Sequence, residues 1–153
     1  MSEAPTGKPL VPKRWPAVTS ATVALGHGLA ASPLHLAAAY ATVANGGKRV
    51  TPTLIHDRVR REGEQVLSPQ AARTAVQLLR QVVVRGSGRS ANVEGYEVAG
   101  KTGTADKPRP GGGYYDSKVI SNFASMFPVD NPKYVLDVTL DIERLGSITS
   151  IPL

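Results

Sequence analysis

The residues best suited to chemistry lie in one stretch, Gly95 to Ala105, which reads Gly-Tyr-Glu-Val-Ala-Gly-Lys-Thr-Gly-Thr-Ala. Gly95, Gly100, Lys101 and Thr102 have the spacing of a phosphate-binding P-loop. In a P-loop, backbone N–H groups surround the phosphates, while the lysine and the hydroxyl contact the nucleotide and its Mg²⁺. The spacing therefore supports one hypothesis, a nucleotide-binding protein.

The surroundings of this stretch disfavour a P-loop. A P-loop requires a strand that ends before the first glycine and a helix that opens at the lysine. Residues 96–99 contain two strand formers and no glycine. Residues 103–113 contain two prolines and four glycines, which oppose a helix. Nucleotide binding is therefore kept only as the alternative hypothesis.

A strand is the better prediction for Glu94 to Ala105, which precedes a loop rich in glycine and proline at residues 108–115. Alternation along a strand places Thr102 and Thr104 on one face and Lys101 and Gly103 on the other. Because Gly103 has no side chain, another backbone or a substrate can approach the strand closely there. Tyr114 and Tyr115 in the loop are predicted either to touch a substrate or to cap the sheet.

Other elements must hold this strand in place. A helix is predicted to begin at Ser32-Pro33, with serine as the N-cap, and to end at Asn45-Gly46-Gly47. A second helix is predicted to open at Ser68-Pro69 and to stop at Gly86. The remaining predicted elements are a hairpin over residues 53–67 and strands over residues 118–127 and 134–141.

The composition excludes several classes of site. The 153 residues contain no cysteine, so a disulfide framework and a thiol nucleophile are impossible. His27, His35 and His56 do not have metal-ligand spacing, and we expect no metal and no cofactor. The net charge is +6, but only residues 58–61 cluster cations, so no nucleic-acid partner is expected. No apolar run is long enough for a membrane span.

Five segments occur in a characteristic order: residues 26–29, 32–47, 98–105, 119–124 and 128–134. Together they resemble the transpeptidase domain of class B penicillin-binding proteins of the cell-division type, over roughly Trp15 to Asp141. Lys101-Thr102-Gly103 corresponds to the third signature of the penicillin-binding and serine β-lactamase group. The resemblance implies an α+β fold in which helices pack on an antiparallel sheet.

The resemblance also implies that the N-terminal half and the C-terminal helix of that fold are absent from this chain. The expected organisation is an extended segment at residues 1–16, the C-terminal half of a transpeptidase domain at residues 17–141, and a divergent tail at residues 142–153. Members of the family are anchored in the bacterial inner membrane with the catalytic domain in the periplasm. From the sequence we expect these residues to contain no signal sequence and no membrane anchor.

The family's reaction is acyl transfer. A serine attacks the D-Ala-D-Ala bond of a peptidoglycan stem peptide, and the amine of a second stem peptide resolves the acyl-enzyme. By resemblance, Lys101, Thr102 and Gly103 are the expected catalytic residues, and Lys101, Thr102 and Thr104 are expected to bind the stem peptide or a β-lactam. The backbone N–H of Thr104 is expected to supply half of the oxyanion hole. Divisome proteins are the implied partners of the parent protein.

The family's nucleophile is missing from these residues. No serine in the chain is followed three positions later by lysine. The second family motif, Ser-x-Asn, has one formal match at Ser90-Ala91-Asn92, which lies just before the signature strand instead of much earlier and is interpreted as a loop. We therefore expect the chain to be inactive alone. A non-catalytic interaction module on the same scaffold is a further alternative.

Overall fold

The computed structural model describes residues 9–26, 28–53 and 63–143. These ranges form helices packed on one three-stranded antiparallel sheet with the strand order β1-β2-β3. The predicted α+β fold with an antiparallel sheet is confirmed. The elements in chain order are α1 (Ala17–Ala24), α2 (Pro33–Ala44), α3 (Pro69–Arg85), a 3₁₀ turn (Arg89–Ala91), β1 (Ala99–Pro108), β2 (Tyr114–Phe127) and β3 (Tyr134–Glu143).

The two long helices begin where the sequence predicts. The Ser32 hydroxyl accepts a hydrogen bond from the backbone N–H of His35, and His35 Nδ1 accepts one from the backbone N–H of Ser32. The Ser68 hydroxyl accepts from the backbone N–H of Ala71 at 3.1 Å. Each cap satisfies a helix N–H that has no partner within the helix, and proline follows at the first helical position.

The signature strand begins later than predicted. β1 starts at Ala99, not at Glu94, because residues 93–96 form a turn closed by a hydrogen bond from Tyr96 N–H to Val93 O at 3.1 Å. Gly95 has φ +80° in this turn, a backbone conformation that residues other than glycine rarely adopt. The apolar pattern around residues 96–98 therefore belongs to the entry into the strand.

The loop after the signature strand is shorter than predicted. β1 runs on to Pro108 and pairs there with Tyr114, so β2 also starts earlier than the predicted Lys118. The connection is closed by a hydrogen bond from Arg109 N–H to Gly113 O at 2.9 Å, and three consecutive glycines at residues 111–113 adopt positive φ. These glycines allow a tight reversal in place of an open loop.

The predicted hairpin at residues 53–67 lies largely outside the described residues, as do His27, His56 and the cluster of cations at residues 58–61. Its second arm is described and returns toward the end of α2. Arg49 N–H donates to Glu64 O at 2.8 Å, and Val66 N–H donates to Gly47 O at 2.9 Å. Residues 1–8 and 144–153 also lie outside the description, so most of the predicted tail is not described.

The two faces of the sheet differ in their covering. On the face that we call the helix face, Ala99 and Met126 are fully buried and pack with Val76 of α3, while residues of α2 complete the core. The opposite face, the outer face, carries Thr102, Ser121 and Phe123 by register. On β3 the outer face carries an apolar stripe whose side chains are 44–62% exposed: Tyr134, Leu136, Val138 and Leu140. In the ranges described, no helix combines the length and hydrophobicity that crossing a bilayer requires.

Candidate functional site

The signature residues lie in the middle of β1, at one edge of the sheet. Lys101, Thr102 and Gly103 pair with Ala124, Phe123 and Asn122 of β2. Thr102 and Thr104 consequently lie on the outer face, and Lys101 and Gly103 lie on the helix face. This is the alternation predicted from the sequence.

The geometry around Lys101 does not match a P-loop. Lys101 and Thr102 continue an extended strand on both sides, and no helix opens at the lysine. The Lys101 ammonium donates a hydrogen bond to the backbone carbonyl of Thr102 at 2.8 Å. Because the phosphate cradle requires a loop leading into a helix N-terminus, the nucleotide-binding hypothesis is wrong for this chain.

A serine from outside the signature contacts its threonine. The Ser87 hydroxyl lies 2.7 Å from the Thr102 hydroxyl, within hydrogen-bond distance. Ser87 is exposed in the turn that follows α3. Sequence reasoning did not single out Ser87; the available signal was the Gly86-Ser87-Gly88 run just after the predicted helix end.

A second hydroxyl pair lies further along β1. Thr104 Oγ1 and Ser121 Oγ are 3.5 Å apart, and the Ser121 hydroxyl donates to the Gly103 carbonyl at 3.4 Å. We call Ser87, Thr102, Thr104 and Ser121 the hydroxyl cluster. These side chains are exposed or half-buried and carry no charge. The cluster therefore offers several hydrogen-bond donors to an acceptor such as a carboxylate.

The glycines of the signature region are enclosed by β2. The Asn122 Oδ1 occupies the position that a Cβ on Gly103 would take. A Cβ on Gly100 would lie 2.7 Å from both the Ala124 carbonyl oxygen and Phe123 Cζ. The close approach predicted at Gly103 is therefore made by the Asn122 side chain from the neighbouring strand.

Asp137 is a half-buried acid on the helix face, in the same row as Lys101 and Ala124, and its carboxylate oxygens are covered. Each carboxylate oxygen exposes less than 1 Å², and neither has a hydrogen-bond partner of good geometry among the described residues. Burial raises the pKa of Asp137, and the nearby side chains of Asn122 and Thr139 offset part of this effect. Burial and the charge of Asp137 raise the pKa of Tyr40, which faces the acid from α2.

The end of the β1–β2 hairpin carries a group of cations around one tyrosine. Arg109 Cζ lies 6.0 Å and Lys118 Nζ lies 5.3 Å from the centre of the Tyr115 ring. Tyr114 is exposed, and Lys107 forms an ion pair with Asp141 of β3. Tyr115 is thus held by cation–π contacts within the hairpin.

The formal Ser-x-Asn match has a structural role. Residues 89–91 form a 3₁₀ turn, and Asn92 Oδ1 accepts a hydrogen bond from Arg80 Nη1 at 3.0 Å. The same Arg80 nitrogen donates to the Val98 carbonyl at 3.0 Å. Ser90 is exposed and lies outside the hydroxyl cluster. The described residues also contain no group of three or more metal-ligating side chains.

Comparisons with known proteins agree on one family. The family model for the penicillin binding protein transpeptidase domain matches residues 2–149. The chain is 39% identical over 146 residues to the penicillin-binding protein PbpB of Mycolicibacterium smegmatis, covering 84% of this chain and 22% of that protein. It is 37% identical to a probable peptidoglycan D,D-transpeptidase FtsI of Caulobacter vibrioides, covering 95% of this chain and 26% of that protein.

The fold is similar to a solved relative as well. The crystal structure of penicillin binding protein 3 from Mycobacterium tuberculosis, complexed with ampicillin, superposes with a TM-score of 0.77 and 36% sequence identity. The match covers 88% of this chain and 34% of that one. The chain thus spans about a quarter of the length of the curated relatives it matches and about a third of this solved structure.

Proposed function

The chain belongs to the penicillin-binding protein transpeptidase family, of the class B cell-division type, and we propose that β1 recognises the substrate carboxylate in a peptidoglycan D,D-transpeptidase site. The observation that carries the proposal is the hydroxyl cluster, in which Thr102 and Thr104 of β1 are each paired with a second hydroxyl. Neutral donors on an exposed strand suit a carboxylate, which accepts hydrogen bonds through both oxygens.

In this proposal Lys101 supplies the positive charge. Its ammonium donates a hydrogen bond to the backbone carbonyl of Thr102, the residue whose hydroxyl belongs to the hydroxyl cluster. A cation held on the same strand as the hydroxyls favours an anionic ligand, and the attraction increases when the bound ligand excludes water. Thr102 and Thr104 then donate to the carboxylate, and the Thr104 N–H is proposed as one oxyanion donor.

The exposed edge of β1 suits an extended peptide. Among the described residues β1 pairs only with β2, so its other edge presents unpaired backbone N–H and C=O groups. A stem peptide ending in D-Ala-D-Ala can add to this edge as a further strand, with its terminal carboxylate at the hydroxyl cluster. A β-lactam carboxylate is proposed to bind at the same hydroxyls.

The covalent chemistry needs a serine that these 153 residues do not provide in a Ser-x-x-Lys motif. The proposed role of this chain is therefore recognition and charge stabilisation, with acylation carried out by a nucleophile from elsewhere. We further propose that the site works in the cell envelope on peptidoglycan, in association with divisome proteins.

The test is a titration of the ¹⁵N-labelled chain with acetyl-D-Ala-D-Ala, followed through the backbone amides of residues 102–104. We expect saturable shifts with the acid and much smaller ones with the same peptide capped as an amide. Thr102→Val is expected to weaken binding roughly 10-fold, since a hydrogen bond to a charged group contributes about 1.5 kcal/mol. Thr102→Ser is expected to retain binding.

Ser90→Ala serves as the control, because Ser90 is exposed and lies outside the cluster. Equal responses to the acid and the amide would refute carboxylate recognition. Chemical-shift changes confined to residues outside β1 and the turns that flank it would show that the ligand binds elsewhere. Mg-ATP is expected to cause no change at Lys101.

A further inference from the structure

Ser87 has one hydrogen-bond partner in the described part of the chain, the hydroxyl of Thr102 at 2.7 Å. This is the shorter of the two hydroxyl pairs, since Thr104 and Ser121 are separated by 3.5 Å. An O–H···O distance near 2.7 Å is that of a well-formed hydrogen bond. The contact therefore fixes the side-chain position of Thr102 before any ligand arrives.

The backbone holds Ser87 firmly. The N–H groups of Gly86 and Gly88 both donate to the Val82 carbonyl, at 2.9 Å and 3.1 Å, so the turn is closed onto the end of α3. Gly88 is buried against the outer face, and a Cβ there would lie 3.4 Å from Phe123 Cε2. Ser87 thus stands between two anchored glycines while its own side chain remains exposed.

The number of hydroxyl hydrogens determines which of the two residues is the donor when a ligand is bound. Each hydroxyl has one hydrogen to donate and can accept at its oxygen. If Thr102 donates its hydrogen to a carboxylate, the Ser87–Thr102 hydrogen bond persists only with Ser87 as the donor. Donation to Thr102 in turn polarises the Thr102 hydroxyl and strengthens the bond that it makes.

We infer that Ser87 is a positioning residue for substrate recognition: it donates to Thr102 and so directs the Thr102 hydrogen toward the ligand carboxylate. This inference rests on the proposed function of β1. It assigns Ser87 an effect that passes through Thr102, without direct contact between Ser87 and the ligand.

The most informative variants are Ser87→Thr and Ser87→Val. The two new side chains have the same shape and branching, but threonine carries a hydroxyl where valine carries a methyl group. Any effect of branching on folding is common to both. In the acetyl-D-Ala-D-Ala titration, Ser87→Thr is expected to stay within about twofold of the parent chain. Ser87→Val is expected to bind about fivefold more weakly, which corresponds to one neutral hydrogen bond of about 1 kcal/mol.

A second comparison separates positioning from direct contact. In a Thr102→Val background, Ser87→Val is expected to change the dissociation constant less than twofold, because the residue through which Ser87 acts is gone. The amide-capped peptide is expected to bind Ser87→Thr and Ser87→Val alike. Ser90→Ala again provides the control for a serine of the same segment.

Three results would overturn the inference. Equal affinity of Ser87→Thr and Ser87→Val for the acid would show that the hydroxyl is not used. A full fivefold loss in the Thr102→Val background would make Ser87 a direct ligand. Absence of acid binding by the parent chain would remove the proposed function itself, and the inference about Ser87 would be rejected with it.

Discussion

Replacing Asp137 by asparagine should stabilise the fold, and the gain should depend on pH. Both carboxylate oxygens are buried without a hydrogen-bond partner of good geometry among the described residues. Asparagine keeps the size of the side chain and removes the charge. Its amide can also interact with Asn122 and Thr139, whose side chains offset part of the rise in the pKa of the acid.

The direction of the pH effect follows from the raised pKa of Asp137 in the folded chain. The folded state holds the proton more tightly than the unfolded state, whose pKa is near the ordinary value of 3.8. Stability from this group is therefore fully present below that value and is lost as the pH rises through the raised folded pKa. The gain in folding stability from Asp137→Asn should therefore appear as the pH rises through this range, and it should remain at neutral pH.

The size of the gain is set by the cost of the buried unpaired group. An unsatisfied buried polar group costs about 1–3 kcal/mol, and more when it is charged. Asp137 as a whole residue is only half-buried, so water screens part of its charge. We therefore expect Asp137→Asn to add about 1 kcal/mol of stability at pH 7. At pH 3.5 we expect close to no gain, because Asp137 of the parent chain is then largely protonated in both the folded and the unfolded state.

The assay is urea unfolding at a series of pH values for the parent chain and for Asp137→Asn, with the exposed acid variant Asp130→Asn as the matched control. The difference in unfolding free energy should grow with pH only for Asp137→Asn. The Tyr40 hydroxyl should also titrate at lower pH in this variant, since the charge of Asp137 helps to raise the pKa of that tyrosine. A stability loss at pH 7, or a gain equal at every pH, would refute the reasoning.

Three further variants test packing and capping through the same unfolding measurement. Gly100→Ala should cost about 1–3 kcal/mol, because its Cβ would meet Phe123 Cζ and a β2 carbonyl oxygen at 2.7 Å; an unchanged midpoint would contradict that packing. Met126→Ala should cost about 2–5 kcal/mol through the cavity left at a fully buried site, and a loss below 1 kcal/mol would mean that the core closes over it. Ser68→Ala should cost about 1 kcal/mol by removing the cap on Ala71 N–H, with Ser68→Asp expected to restore it.

The parts of the fold that could be predicted are those determined over a few neighbouring residues. Ser32-Pro33 and Ser68-Pro69 each carry a complete helix start, and both helices begin there. The alternation of Thr102 and Thr104 against Lys101 and Gly103 follows from strand geometry alone. The start of β1 was misplaced because Tyr96 and Val98 favour a strand, whereas the turn at Gly95 overrides that preference.

The residues that contact the signature strand from other elements could not be predicted from the sequence pattern. Ser87 comes from the turn after α3, and Ser121 comes from β2, so only the packing of these elements on β1 brings their hydroxyls together. The burial of Asp137 depends likewise on α2, which lies far away in the sequence and covers that end of the sheet. The sequence shows polar residues at these positions, but it does not indicate which of them contact one another in the fold.

The hydroxyl cluster also affects the order in which the chain can organise itself. Its two pairs join residues 15 and 17 positions apart, so each closes a short loop. Loop-closure entropy rises with the logarithm of loop length, by about 0.6 kcal/mol for each doubling, and contacts between α2 and β3 close far longer loops. The segment from α3 through the β1–β2 hairpin can therefore assemble the cluster before α2 docks, as a folding unit of low contact order.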